Sequence, residues 1–318
     1  MRTAIPLTLL ATTLACSLAS VPAQARARVF VASYGSDSNP CTFLSPCRNF
    51  QQAVNVVDAG GEVTAIDSAG FGPINITKAV TITSPDGVEA GIVPAAAGED
   101  AIDINAVEGG DIVLRGLTLN GGGLGGNGIV FNAGFSLTVT NCVVQNFRFV
   151  TPGTGSGILI QSGGSYAITN TTVVNNNDGI VYAGANGVGV IDHVVATSNN
   201  CGISVGPFSG SSTVTISNSN VSNNRNDGIS GGTTSFLTVS IDNVTASGNG
   251  IGNNGWGIAF SNNTNVLLGR SVITGNQGGI QNATSPNAFY TYGNNQINLN
   301  AGGNDISFAP LLTTFTPR

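Results

Sequence analysis

The dipeptide Gly-Ile recurs at Gly128, Gly157, Gly179, Gly202, Gly228, Gly257 and Gly279, at intervals of 29, 22, 23, 26, 29 and 22 residues. Two further copies, at Gly91 and Gly250, fall out of register. A period near 25 residues, filled with Val, Ile, Thr, Ser, Asn and Gly, marks a chain of stacked units, none of which buries a core alone. A second signature follows each copy after about 13 residues: an aliphatic residue, any residue, Asn, then Val three positions on. It reads Val139-Thr140-Asn141 with Val144, Ile168-Thr169-Asn170 with Val173, and Ile216-Ser217-Asn218 with Val221. Looser copies are Val190-Ile191-Asp192 with Val195, Val239-Ser240-Ile241 with Val244, and Leu267-Leu268-Gly269 with Val272.

Leu137 and Val139, like Val214 and Ile216, alternate with Thr or Ser, the period of a strand with one buried face. Continuing that alternation places Asn141, Asn170, Asp192 and Asn218 inward, where successive coils would stack them into a polar ladder whose amides satisfy one another. No segment of the repeat has helical period. Short strands joined by turns and paired coil to coil give an all-β fold: a single-stranded right-handed parallel β-helix, a solenoid of roughly ten coils at ~4.8 Å each. Three rivals fail. Only Leu114-Arg115-Gly116-Leu117-Thr118-Leu119 resembles a leucine-rich repeat. Aromatic residues, at 6%, are too few for the girdles of a membrane barrel. The Gly-Gly-x-Gly-x-Asp nonapeptide of calcium-binding β-rolls is absent.

Gly35-Ser36-Asp37, Asn39-Pro40-Cys41, Pro46-Cys47-Arg48 and Phe50-Gln51-Gln52-Ala53 lie within Arg28 to about Ile92. This region resembles the opening of a pectin-lyase-like β-helix. The repeats from Ala101 onward are similar to those shared by carbohydrate-binding proteins and sugar hydrolases. Nearly the whole chain after residue 25 is covered. The resemblance implies a β-helix and contact with carbohydrate, but no particular activity, since such a scaffold hosts many.

Residues 1–25 read as a secretory signal: Arg2, an apolar run through Ala15, then Ala23-Gln24-Ala25 as cleavage site. An exported chain beginning at Arg26 is expected, either secreted or periplasmic, with no membrane span. It carries nine basic and sixteen acidic residues, a formal net charge of −7, which argues against nucleic acid as partner. Charged residues are only 8% of the chain, against about 25% in ordinary globular proteins, so few groups remain for acid–base chemistry. One elongated domain is expected, with a cap and first coils over residues 26–100, repeats over 101–288 and a C-terminal cap over 289–318. The open ends of a β-rod need covering. Asn49 to Val57 reads as a capping helix with Phe50, Ala53, Val54 and Val57 on one face. Cys41 and Cys47 just before it fit a disulfide of an oxidising compartment, whereas Cys142 and Cys201 fall on separate coils and should be unpaired. At the other end Phe289, Tyr290, Tyr292, Phe308, Leu311, Leu312 and Phe315 gather apolar bulk.

No catalytic residue can be carried over from the enzymes with this scaffold. The Asn-Thr-Asp, Asp-Asp, Gly-His-Gly and Arg-Ile-Lys motifs of polygalacturonase-like hydrolases are absent, as is the Tyr-Gly-Phe-Asp-Pro-His signature of alginate epimerases. His193, the only histidine, falls in a column read as Cys142, Thr171, His193, Ser219, Asp242, Arg270. That order separates Asp242 from His193 by two coils, ~10 Å, too far to orient an imidazole. Asp242 and Arg270 read as an ion pair between coils.

The column before each Gly-Ile holds Asn127, Ser156, Asp178, Cys201, Asp227 and Trp256. The distance from ladder to next Gly-Ile is 9 or 10 residues in most coils but 16 after Asn141 and after Ile241. The longer turns carry Phe147-Arg148-Phe149 and Gly252-Asn253-Asn254-Gly255-Trp256. Between them lie Asn176, Asn177, Asp178, Asn200, Arg225, Asn226 and Asp227, predicting a groove with aromatic rims and an amide floor. Such a surface suits sugar rings, whose C–H faces stack on aromatics while hydroxyls bond amides. Asp178 and Asp227 are expected ~10 Å apart, beyond the ~6.5–9.5 Å of an inverting glycosidase pair and too far to share one Ca²⁺ directly. No metal or cofactor is expected, with Ca²⁺ the one ion the carboxylates bring into question. The first reading is an exported protein binding or contacting polysaccharide or a cell-surface glycan, with catalysis unconfirmed. The alternatives are a lyase or hydrolase using Asp178, Asp227 and Arg225, and an adhesive rod with no ligand groove.

Overall fold

A computed structural model describes residues 26–106, 109–124, 126–148, 155–232, 235–261, 263–282, 288–301, 305–307 and 312–314. The expected leader, residues 1–25, lies outside them, as do Phe308, Leu311 and Phe315. The fold is a right-handed parallel β-helix of about nine turns. One coil runs Ser156–Ile160, Ser165–Thr169 and Thr172–Val174, and Asp178–Tyr182 then opens the next. The middle strands of all coils form a first sheet of twelve strands, and the opening strands form a second of ten. The short third strands make six- and three-stranded sheets, joined where Asn220 bridges Val195 and Thr245. Every pairing between coils is parallel, and strands continue past residue 288 at Ala288–Thr291, Gln296–Asn298 and Thr313–Thr314.

The Gly-Ile signature sits on the second sheet. Its isoleucines align coil upon coil, Ile129, Ile158, Ile180, Ile203, Ile229, Ile258 and Ile280, and all are buried. Each is β-branched and fits a pleated, crowded interior. The glycines answer a different need. A Cβ on Gly202 would lie 2.5 Å from Gly228 O and 2.7 Å from Asn224 Nδ2. On Gly228 it would lie 2.6 Å from Gly257 O and 2.8 Å from Asn249 Nδ2. Glycine is required there by close approach, not by its backbone angles.

What those glycines make room for is a ladder of buried asparagines, Asn176, Asn199, Asn224, Asn249, Asn276 and Asn300. Each backbone N–H donates to the side-chain oxygen of the next, as Asn199 N does to Asn224 Oδ1 at 3.0 Å and Asn224 N to Asn249 Oδ1 at 3.0 Å. Each Nδ2 also donates along the stack and to a carbonyl, Asn224 Nδ2 reaching Asn249 Oδ1 at 3.0 Å and Ala196 O at 3.1 Å. Asp305 closes the series by accepting from Asn300 Nδ2 at 2.8 Å. Donors and acceptors are satisfied all along the interior, the condition for keeping amides in an apolar core.

This is not the ladder expected from the second signature. Asn141, Asn170 and Asn218 are exposed and Asp192 is only half-buried. Asn141, Asn170, His193, Asn218, Asn243 and Arg270 all have φ between 48° and 54° and turn the chain from the first sheet to the third. A left-handed residue breaks the pleat, so the in–out alternation that holds through Thr140 does not continue into Asn141. Asn is favoured there because it tolerates that conformation. The register also shifts by one in some coils. Asp192 aligns with Thr169 and Ser217, and it is Ala196, not Val195, that faces inward.

At the N-terminal end the helix spans Phe50–Val56, one residue shorter at each end than expected, and buries Phe50, Ala53 and Val54 over the first coils. Asp37 holds its start, accepting from Arg48 N and Asn49 N and from Asn49 Nδ2. Cys41 and Cys47 form a disulfide with Cα atoms 4.6 Å apart, and Cys142 and Cys201 are free. At the other end Phe289 is buried, while Tyr292 is exposed.

Two tyrosines interrupt the aliphatic core side by side, with ring centroids 5.2 Å apart. Tyr182 Oη pairs with Ser212 Oγ at 2.8 Å and accepts from Gly187 N at 2.9 Å, whereas the buried Tyr166 hydroxyl has no partner among the described residues. An unsatisfied buried hydroxyl costs about 1–3 kcal/mol. Tyr166→Phe is therefore expected to raise unfolding free energy by about 1 kcal/mol, and Tyr182→Phe to lower it by a similar amount. Urea denaturation of the pair checks this. Equal midpoint shifts of one sign would contradict it.

Candidate functional site

The corner from third sheet to second is where polar chemistry concentrates. Asn146, Asn175, Ser198 and Asn223 turn the chain with positive φ, and the ladder residue follows each except Asn146, where Phe147 takes its place. Next come Arg148, Asn177, Asn200 and Arg225 in successive coils. Asn200 N donates to Asn177 O, Asn226 N to Asn200 O, and Asn226 Nδ2 to Asn200 Oδ1 at 2.9 Å, so the amides form a continuous strip. Arg148, Asn175, Asn177, Ser198, Asn200 and Arg225 line a depression of about 330 Å³, with Asn176 and Asn199 beneath it.

Beside this strip the strands of the second sheet open with Ser156, Asp178, Cys201 and Trp256, while Asp227 lies two residues before the strand Ile229–Gly232. Asp178 pairs with Ser156 and with Cys201 in register. Asp227 Oδ1 accepts from Trp256 N at 2.8 Å, tying the next two coils together. Trp256 is half-buried, its ring lying over Gly278, where no side chain competes for the space. A second depression, about 300 Å³, runs from Asp227 across the outer face of this sheet, over Ser204, Ser230, Ala259 and Gln281 and the glycines Gly206 and Gly232.

Burial pushes the Asp178 and Asp227 carboxyls above the ordinary aspartate value. Hydrogen bonds from Asn200, Cys201 N and Asn177 oppose the shift at Asp178, and that from Trp256 N opposes it at Asp227. Between them the Cys201 thiol is pushed up to about 11, by burial first and then by the charge of Asp178. Such a thiol is no nucleophile at neutral pH. Cys142 is likewise pushed up to about 11 by burial.

These shifts have opposite consequences from that of Asp192, held down at about 2 chiefly by the Ser217 hydroxyl, with His193 and Asn218 helping. A raised carboxyl stabilises the native state when protonated, and that contribution is lost as pH rises through its folded pKa. Asp178→Asn should therefore stabilise the protein at neutral pH, with the gain fading below about pH 4. A depressed carboxyl stabilises above its unfolded value and loses the effect as pH falls. Asp192→Asn should flatten the stability profile between about pH 4 and pH 2, by a small amount because the half-buried Asp192 is still reached and screened by water. Thermal melts across pH separate the two signs.

The structure distributes the expected ligand residues unevenly. Arg148, Asn177, Asn200 and Arg225 share the corner depression, while Asp178, Asn226, Asp227 and Trp256 border it on the sheet side. Phe147 is wholly buried and cannot stack on a ligand: it heads the ladder, its N–H donating to Asn176 Oδ1 at 3.0 Å. Phe149 lies outside the described residues, as does most of the first long turn. The second long turn closes on itself, Gly250 meeting Gly255, and leaves Ile251–Asn254 exposed. Asn175, Ser198, Ser204, Ser230 and Gln281 were not anticipated. The first two are corner residues whose position follows from the buried ladder, and a ladder placed by Asn176 and Asn199 would have revealed them.

No Ser–His–Asp arrangement forms. His193 Nδ1 meets Asp192 Oδ2 at 2.6 Å, but Ser219 is buried and its hydroxyl donates to Ser217 O. Asp242 instead holds Arg270, whose Nε donates to Asp242 Oδ1 at 2.9 Å. Among the described residues no three His, Cys, Asp or Glu side chains gather as a metal site, and no helix is long and apolar enough to cross a membrane.

Residues 127–301 match the family of right-handed β-helix regions, more than half of the chain, and the protein belongs to that family. Among solved structures it is similar to pectate lyase Pel9A, with TM-score 0.60 and 18% identity over 83% of this chain and 74% of that one. The enzymatically active domain of bacteriophage CBA120 tailspike protein 2 gives TM-score 0.54 and 14% identity over 76% of this chain and 44% of that one. XylC, solved in complex with xylose, gives TM-score 0.53 and 10% identity over 80% and 70%. At such identities the likeness is one of fold. No curated protein matches the chain.

Proposed function

We propose that the protein contacts polysaccharide along the edge where the amide strip meets the second sheet. The observation that carries this is one outward column, Asp178, Cys201, Asp227, Trp256, in which two half-buried carboxyls form no ion pair among the described residues and end on the half-exposed face of the only tryptophan. Desolvating carboxyls without a compensating cation is unfavourable, and such groups cluster at sites selected for use rather than stability. Amides, carboxyls and an indole face are the groups that bond sugar hydroxyls and stack on sugar C–H faces. The rod presents them at a coil repeat of ~4.8 Å, suited to an extended chain of saccharide units. The names of the similar structures, a pectate lyase, a tailspike active domain and a xylose complex, add support of the same kind.

In this reading the protein binds without chemistry of its own, needs no cofactor, and is exported, with residues 1–25 removed. One observation favours a second reading, hydrolysis. Asp178 and Asp227 both carry raised pKa values and stand two coils apart, ~10 Å, near the separation of inverting pairs. Retention of the purified protein on a panel of immobilised polysaccharides tests the first reading. New reducing ends or unsaturated products test the second. Retention without product supports binding alone, product supports hydrolysis or lysis, and neither leaves a rod without a ligand groove.

A further inference from the structure

We infer that the corner depression is an anion subsite, holding a carboxylate or sulfate group of a saccharide between Arg148 and Arg225. This rests on the polysaccharide reading and adds the charge of the ligand.

The two arginines stand in coils three steps apart, ~14 Å along the rod, and line the same hollow. Arg148 already leans into it, its Nη2 donating to Asn175 Oδ1 at 2.7 Å in the next coil. Arg225 is exposed and its guanidinium has no hydrogen-bond or ion-pair partner among the described residues. Of the other cations among the described residues, Arg26 and Arg115 lie away from this hollow and four are engaged. Arg28 meets Glu62 at 3.2 Å, Arg270 holds Asp242, Arg48 donates to Gly70 O and Lys78 to Val57 O. The nearby carboxyls do not neutralise the hollow. The shifts of Asp178 and Asp227 arise from burial and from hydrogen bonds, with no guanidinium among their causes, and neither carboxyl forms an ion pair among the described residues. Two uncompensated guanidinium groups thus face one hollow on a chain of strongly acidic balance.

The floor suits the same ligand. Ser198 offers a hydroxyl between the arginines, while the amides hold the floor rigid: Asn175 Nδ2 donates to Asn146 Oδ1 at 2.6 Å and Asn177 Nδ2 to Asp178 Oδ2 at 3.1 Å. Guanidinium forks bind carboxylate and sulfate oxygens in pairs, with a geometry that a neutral hydroxyl does not exploit. The neighbouring Trp256 edge would then receive the ring of a unit further along the same chain.

Calorimetric titration with an oligouronide, its fully methyl-esterified counterpart, and a sulfated neutral glycan with its desulfated parent tests the inference. The ester differs from the acid by one methyl group per carboxyl, which removes the charge, and the desulfated pair controls for that added group. Binding of at least one anionic ligand about ten-fold tighter than its neutral counterpart is expected, falling as salt rises. Arg225→Gln and Arg148→Gln should each remove most of that difference, lowering affinity for the anionic ligand well beyond any loss for the neutral one, and Arg225→Lys should retain part of it. Both side chains are exposed, so thermal midpoints should match the parent and folding should not obscure the result. Preference for the acid or for the sulfate decides which group the subsite takes. Equal binding of charged and neutral partners would overturn the anion subsite and leave the polysaccharide reading standing. Absence of binding to every glycan would overturn both.

Discussion

Replacing Asn224 by Leu is expected to cost about 3–6 kcal/mol, although the two side chains are close in size. Asn224 Oδ1 accepts from Asn199 N at 3.0 Å and from Asn199 Nδ2 at 3.3 Å, and its own Nδ2 supplies Asn249 Oδ1 and Ala196 O. Leucine removes all four links at once, and the groups left behind are buried beyond the reach of water. Asn170→Leu is the control that separates this ladder from the one suggested by the repeat signature. Asn170 is exposed at φ 49°, so the change costs only the left-handed strain of a branched side chain, ~1–2 kcal/mol. Because coils of a solenoid can open locally, unfolding should be followed by denaturant titration and by amide hydrogen exchange in the coils on either side. Loss of protection centred on Asn199 and Asn249 is expected. Equal stability of the two variants would remove the buried ladder as the organising element of this core.

The contrast shows what the sequence could reveal. The seven Gly-Ile copies announce the period, the isoleucine column and, through a period-two pattern in the flanking strands, the parallel β-helix itself. These follow from local chemistry: apolar residues must alternate along a strand and must align between coils. The position of the buried amides does not follow from alternation, because left-handed residues at both corners reset the pleat. Asn141 and Asn176 are alike in the sequence, yet one turns the chain outside and the other is wholly enclosed. The glycines held the missing clue. Each ladder amide lies against the glycine of the preceding Gly-Ile copy, Asn176 beside Gly157, Asn199 beside Gly179 and Asn276 beside Gly257, where a Cβ would leave it no room.

The candidate site was legible to a similar degree. The column Asp178, Cys201, Asp227, Trp256 is aligned as read, since each residue keeps a fixed offset from a Gly-Ile pair. The rims were not legible. Phe147 looked like a stacking surface because a longer turn follows it, but its N–H is the first donor onto the ladder, which fixes the residue inside. Exposure of an aromatic depends on which corner position it occupies, and the sequence does not print the corner.

Trp256→Ala is expected to weaken retention on the preferred polysaccharide at least ~30-fold, corresponding to the ~2 kcal/mol or more commonly lost when an aromatic is truncated at a binding hot spot. Asp178→Asn separates the two functional readings with one conservative change. If the protein only binds, the amide still offers an oxygen and a donor to sugar hydroxyls, and retention should fall by less than for Trp256→Ala. If Asp178 is a general acid or base, turnover should be abolished, since an amide neither gives nor takes the proton. In both cases the variant should be more stable than the parent at neutral pH, because the charge that burial penalises has been removed. Greater stability together with weaker function is the signature of a group retained for its use. Greater stability with retention and product formation unchanged would make Asp178 a tolerated former of a turn, and the column an edge of the scaffold.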